Sequence, residues 1–210
     1  MKIKVCGMKD GDNISPVAGL RPDYMGFIFY NKSKRFFTGT LPELGSDIVK
    51  TAVFVNEDLN WVLDRVKEYN FKAIQLHGDE STSYCRELKK ALSPAVQLIK
   101  AFSMHQKFDM AKLLDYQAVC DFFLFDTKGK ERGGTGQVFD WNILKSYDLK
   151  HPFFLSGGIG LDQIDNLKEF FKTKVSNYCH AVDVNSKFED LPGLKRIGDL
   201  ELFIKEIKSL

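Results

Sequence analysis

The chain has 210 residues, 44% of them hydrophobic and 28% charged, and 30 Lys plus Arg against 28 Asp plus Glu leave a formal net charge of +2. This is an ordinary globular composition, and the charge is too small to argue for nucleic acid as a partner. No apolar run approaches 18 residues, so no membrane-spanning helix is expected, and the opening KIKVCG lacks the apolar core of a signal peptide.

Taken in order, Ile3 to Cys6 reads as a first strand stopped by Gly7, and Asp12 or Asn13 can cap a helix to about Leu20. Tyr24 to Phe29 is a second strand, followed by a basic loop and a short helix from Pro42. Lys50 to Val55 is a third strand, with Asn56 as cap of the helix Leu59 to Tyr69. Phe71 to Leu76 is a fourth, ending in His77 and Gly78, and Ser81 opens the next helix. Ala95 to Ala101 is a fifth, before a helix from His105 to Tyr116. Val119 to Asp126 is a sixth, Pro152 to Leu155 a seventh and Tyr178 to Val184 an eighth, with helices predicted at Trp141 to Ser146, Leu161 to Phe171 and Asp199 to Ile207.

This is βα alternation eight times, at about 26 residues per unit. Continuously apolar strands imply a parallel sheet covered on both faces. The reading is an α/β protein built as a single (βα)8 TIM barrel over residues 1–210, with a doubly wound open sheet as the rival. In a barrel, catalytic groups sit at the C-terminal strand ends.

The stretch from Phe122 to Trp141 carries the strongest signal. A carboxylate, Asp126, follows the unbroken apolar run Phe122 to Phe125, where an unpaired buried charge would be costly. The glycine-rich segment 127–137 follows, placed to act as a lid. Cys6 ends strand one, Arg35 lies in the loop after strand two, and His77 follows strand four. Gly157 and Gly158 follow strand seven, while Asp183, Asn185 and Ser186 end strand eight. All would share one rim. Lys4 projects from the same strand face as Cys6 and is expected to lower its thiol pKa. Arg35 suits a substrate carboxylate. The glycine segments after strands seven and eight suit phosphate, although paired glycines also make ordinary turns. His77 is read first as a core histidine bonded to a backbone carbonyl, and Trp141 as a helix-packing residue.

Cys85, Cys120 and Cys179 read as small buried hydrophobes. The four cysteines lack the paired spacing of a zinc site, and no His or carboxylate cluster has metal-ligand spacing. No cofactor is expected, and the cysteine usage suits a reduced, cytoplasmic protein.

KVCGM (4 to 8), GFIFY with SKRF (26 to 36), VFVN (53 to 56), IQLHGDE (74 to 80), FDT with GGTGQVFDW (125 to 141), LSGGI (155 to 159) and VDVNS…E…PGLK (182 to 195) stand in the order found in the phosphoribosylanthranilate isomerase family. The chain resembles that family over essentially its whole length. The resemblance implies a (βα)8 barrel of the tryptophan pathway and an Amadori rearrangement of N-(5-phosphoribosyl)anthranilate without metal or coenzyme. It makes Cys6 the general base, Asp126 the general acid, and Arg35 the holder of the anthranilate carboxylate. Gly157, Gly158, Asn185 and Ser186 would bind the phosphate, with His77, Gly134 and Asp183 as possible substrate contacts. The partner implied is a small-molecule phosphoribosyl substrate, with no nucleic acid or membrane, and the protein would be a monomer or homodimer. The chain departs from the family pattern at Lys187, where Gly is usual, at Arg196, where Asp is common, and at Lys9, where Thr is common.

Two other readings stand beside this one. A histidine-pathway phosphosugar isomerase would need an aspartate where Cys6 stands. A barrel of the same kind could also bind a phosphometabolite without turnover.

Overall fold

The computed structural model describes residues 1–105, 108–127 and 141–209. Its strands are β1 (Lys2–Val5), β2 (Tyr24–Ile28), β3 (Val49–Phe54), β4 (Ala73–Leu76), β5 (Gln97–Met104), β6 (Phe122–Thr127), β7 (Phe153–Leu155) and β8 (Cys179–Val184). They pair in sequence order, all parallel, and β1 closes on β8 with Lys2 beside Ala181 and Lys4 beside Asp183. The closed barrel rules out the open doubly wound sheet. Helices α1 (Gly11–Gly19), α2 (Leu59–Tyr69), α3 (Thr82–Ala91), α4 (Leu114–Gln117), α5 (Ile164–Phe170) and α6 (Ile197–Lys208) lie between or after the strands. No described helix is long and apolar enough to cross a membrane.

Two buried apolar clusters result. The large one joins outward strand residues such as Val5, Phe27, Phe123 and Phe125 to the helices. The small one, Tyr24, Ala73, Ile99, Ala101, Leu124, Phe154 and Ala181, takes the alternate strand positions and fills the bore. Each fully buried Phe or Leu contributes about 1.5–3 kcal/mol.

The alternation is less strict than the sequence reading expects. No helix forms at Pro42. An aromatic plug covers the sheet there instead: buried Phe37 packs edge-on against Phe27, Phe29 and Tyr69. With that face covered, a helix interrupted by Gly45 has too little apolar surface to repay nucleation. The helix expected over 105–116 is a 3-10 turn, Met110–Leu113, running into α4, and Trp141–Ser146 is also 3-10.

Two caps are reassigned. Asp10, not Asp12 or Asn13, caps α1, and Asp58 rather than Asn56 caps α2. Each caps by accepting from the amide two residues on. The asparagines have other tasks. Asn56, at φ 53°, accepts from the Asp79 amide, and buried Asn13 exchanges two hydrogen bonds with the backbone of Lys195. Lys195 belongs to a feature the sequence reading missed, a hairpin of β9 (Glu189–Leu191) and β10 (Leu194–Lys195) after β8. Its turn contains Gly193 at φ 94°, a conformation favouring glycine, and the signal was the Pro192-Gly193 pair.

Candidate active site

Strand alternation brings Lys4, Gly26, Gln75, Asp126 and Asp183 onto the inner face near the C-terminal rim, with Cys6, His77, Ser156 and Asn185 one step beyond their strands. Cys6 is 4% exposed, and its amide donates to the Val184 carbonyl across the β1–β8 closure. Gly26 makes room for the thiol: a Cβ there would lie 2.7 Å from Cys6 Sγ. The sequence offered only a glycine inside an apolar strand as a hint of this close approach.

Lys4 is fully buried beneath Cys6. Its ammonium donates to Asp183 Oδ1 at 2.7 Å, and Ser156 Oγ donates to Asp183 Oδ2 at 3.0 Å. Burial would push Lys4 down, but Asp183, with Cys6 adding to it, outweighs this and raises its pKa above the ordinary value. Lys4 does pull the Cys6 pKa down as expected, but it does not decide the net direction. Burial is the largest influence and pushes the thiol up; Lys4 pulls the other way, but Asp183 offsets it. A thiolate formed here is scarcer at neutral pH and more basic than a free one. Asp183, expected as a possible substrate contact, is 6% exposed and committed to Lys4 and Ser156.

Across the rim, His77 Nε2 lies 3.3 Å from Asp126 Oδ2, both side chains about one-sixth exposed (16% and 15%). The Gln75 amide nitrogen sits 2.8 Å from His77 Nδ1. An amide nitrogen only donates, so Nδ1 accepts and Nε2 carries the hydrogen directed at Asp126. His77 is thus a rim residue with side-chain partners, not a core histidine on a backbone carbonyl.

The loop carrying His77 is pinned by a pair absent from the sequence reading. Buried Lys100 on β5 lies 3.1 Å from Glu80 and donates to the Gly78 carbonyl at 2.9 Å. Glu80 in turn accepts from the amides of Asn56 and Gly78.

Arg35 reaches the rim over Gly7. Gly7 has φ 76°, and a Cβ there would lie 2.6 Å from Arg35 Cδ and 2.5 Å from Asn185 Oδ1, so the turn needs glycine twice over. The guanidinium is not free. Its Nε donates to Glu189 Oε1 and Oε2 at 3.0 and 2.9 Å, and Nη2 to Oε2 at 2.6 Å. Buried Lys195 reaches the same carboxylate at 2.6 Å and also donates to Asn185 Oδ1 at 2.8 Å. Burial would raise Glu189, but Arg35 and Lys195 outweigh it and hold the carboxyl below its ordinary range.

The loops after β7 and β8 lie side by side. Gly157 and Gly158 have φ of 95° and 68°. Gly160 packs against Lys187, whose ammonium is 3.9 Å from Asp162, and a 3-10 turn starts at Ser186. Gly134 and the expected lid, apart from Thr127, lie outside the described residues. Cys85, Cys120 and Cys179 are buried away from this rim, and Trp141 packs edge-on against Phe170. Among the described residues, no group of three or more His, Cys, Asp or Glu could hold a metal ion.

A family model described as N-(5'phosphoribosyl)anthranilate (PRA) isomerase matches residues 3–206. An N-(5'-phosphoribosyl)anthranilate isomerase of Phocaeicola vulgatus is 39% identical over 209 residues, covering 100% of this chain and 98% of its own length. The crystal structure of phosphoribosyl anthranilate isomerase from Thermotoga maritima is similar at 31% identity and a TM-score of 0.83, covering 100% of both chains. A phosphoribosyl anthranilate isomerase solved with reduced 1-(O-carboxyphenylamino)-1-deoxyribulose 5-phosphate is similar at 29% identity and a TM-score of 0.80, again covering 100% of both.

Proposed function

The chain belongs to the N-(5'-phosphoribosyl)anthranilate isomerase family, and from that premise we propose an Amadori rearrangement with Asp126 as general acid and Cys6 as general base. It is an isomerase of tryptophan biosynthesis, acting on a small phosphoribosyl substrate. Asp126, protonated, gives its proton to the furanose ring oxygen of N-(5'-phosphoribosyl)anthranilate. The C1–O bond breaks and an iminium forms between C1 and the arylamine nitrogen. The Cys6 thiolate removes the C2 proton, and the electron pair moves to the iminium. The resulting enolamine tautomerises to the ketone, 1-(2-carboxyphenylamino)-1-deoxyribulose 5-phosphate. His77 Nε2–H orients Asp126. Arg35 takes the anthranilate carboxylate, and the backbone amides of Gly157, Gly158 and Ser186 with the Asn185 side chain take the phosphate, where Lys187 adds positive charge. Residues 1–210 act as one catalytic domain.

The observation that carries this reading is that Cys6 and Asp126, 120 residues apart in number, both stand at the C-terminal rim of one closed barrel, beside Arg35 and the glycine loops. The test is the decay of phosphoribosylanthranilate fluorescence with Cys6→Ser and Asp126→Asn. Each should slow turnover by roughly 10²–10⁴ with the fold intact by circular dichroism. Wild-type decay in both would refute the roles.

A further inference from the structure

Arg35, in the reading above, receives the substrate's carboxylate, yet in the structure it already holds one. A guanidinium has two edges that can take a carboxylate with paired hydrogen bonds, the Nε–Nη2 side and the Nη1–Nη2 end. Glu189 occupies the first through three contacts of 2.6 to 3.0 Å. Among the described residues Nη1 donates to nothing.

The carboxylate doing this is itself firmly held. Lys195 donates to it at 2.6 Å and the Gly193 amide at 3.1 Å. Arg196 donates from Nη1 to the Glu189 carbonyl at 2.6 Å and from Nη2 to the Lys187 carbonyl at 2.7 Å. Glu189, with a side chain only 4% exposed, is thus fixed by Lys195, the Gly193 amide and Arg196, and Arg35 is fixed through it. Lys195 and Arg35 would face each other as like charges without the carboxylate between them.

We propose that Glu189 is a positioning residue for substrate selection: it grips Arg35 by the Nε–Nη2 edge and so presents the Nη1–Nη2 end as a preformed seat for the aryl carboxylate. The proposal rests on the assignment of Arg35 to that carboxylate. The site would then favour arylamine ribosides bearing an ortho carboxylate over those without one. Arg35, Glu189 and Lys195 together carry one net positive charge, so the seat remains attractive to an anion.

Charge alone makes the opposite forecast. Removing the negative charge at position 189 should tighten binding of any anion near Arg35. Loss of the preformed geometry should weaken it. The sign of the change therefore separates the two.

Titration calorimetry would use reduced 1-(O-carboxyphenylamino)-1-deoxyribulose 5-phosphate and the same compound made from aniline, which lacks the carboxylate. With Glu189→Gln, the carboxylated ligand should bind about tenfold more weakly and the aniline ligand as before. Unchanged binding of the aniline ligand also reports that barrel and phosphate site are intact. Equal weakening of both ligands would overturn the proposal, as would tighter binding of the carboxylated one, which would make Glu189 a competitor for Arg35. Arg35→Ala tests the premise separately: it should abolish the preference for the carboxylated ligand. If that preference survives in Arg35→Ala, the assignment of Arg35 fails and takes the proposal with it. If it is lost in Arg35→Ala but fully kept in Glu189→Gln, the proposal alone fails.

Discussion

The two ends of the barrel bore are built from the same eight strands and differ in chemistry. At the C-terminal end the interior holds charge: Lys4 against Asp183, with Cys6, His77 and Asp126 just above. At the N-terminal end it is neutral and aromatic. Tyr24 packs edge-on against Phe154, His180 lies 4.4 Å from the Phe122 ring, and the Tyr24 hydroxyl donates to Gln97 at 3.1 Å and pairs with His180 at 2.8 Å. Along β6 the change takes five residues, from Phe122 through Leu124 to Asp126. The lower half is filled as a core is filled, whereas the upper half buries groups whose solvation must be replaced by specific partners. Stability and chemistry are thus segregated along one axis.

The largest effect expected from breaking that contrast comes from Lys4→Met. It leaves Asp183 buried with Ser156 alone, and should cost about 3–5 kcal/mol by urea denaturation. Pairing it with Asp183→Leu should recover part of the loss. A single-variant loss below about 1 kcal/mol would mean that the upper half carries no special electrostatic demand.

Tyr24→Phe probes the lower half. It removes one hydroxyl from Gln97 and His180 and should cost about 0.5–1.5 kcal/mol while kcat/KM stays at the wild-type value. A fall in kcat/KM beyond the change in folded fraction would break the segregation.

A third effect sharpens the contrast by pH. Burial, reinforced by Lys2 and opposed by Asp23, lowers the His180 pKa from 6.5 to about 4. Between these values the unfolded chain binds a proton that the folded chain does not, so stability falls as pH drops from 6.5 towards 4. His180→Gln should flatten that slope in denaturation midpoints measured at pH 7, 6 and 5. An unchanged slope would place the acid sensitivity elsewhere.

The barrel was legible because eight apolar runs at even spacing leave few alternatives, and a strand-end carboxylate such as Asp126 or a strand-end thiol such as Cys6 stands out against them. The caps were less so: Asp10, Asp12 and Asn13 are all capping types, and of these Asn13 is drawn away by the backbone of Lys195 in β10. The missing helix at Pro42 was hidden because Phe37 covers the sheet from an irregular loop, which periodicity does not register. Glu189 and Lys195 stood inside a motif that resembles the family's, yet the meeting of Glu189 with Arg35 spans 154 residues, and nothing local marks Lys100, inside an apolar strand, as the partner of Glu80. Pairings at that range follow from barrel closure, not from local pattern.

The clasp between Asn13 and the Lys195 backbone joins residues 182 apart, and the Lys4–Asp183 pair spans 179. During synthesis the thiol after β1 therefore waits, in an unfinished setting, until β8 and the hairpin that follows it have been made. Competence arrives in one late event, and a nascent barrel interrupted before its eighth strand has no partial version of this centre to offer.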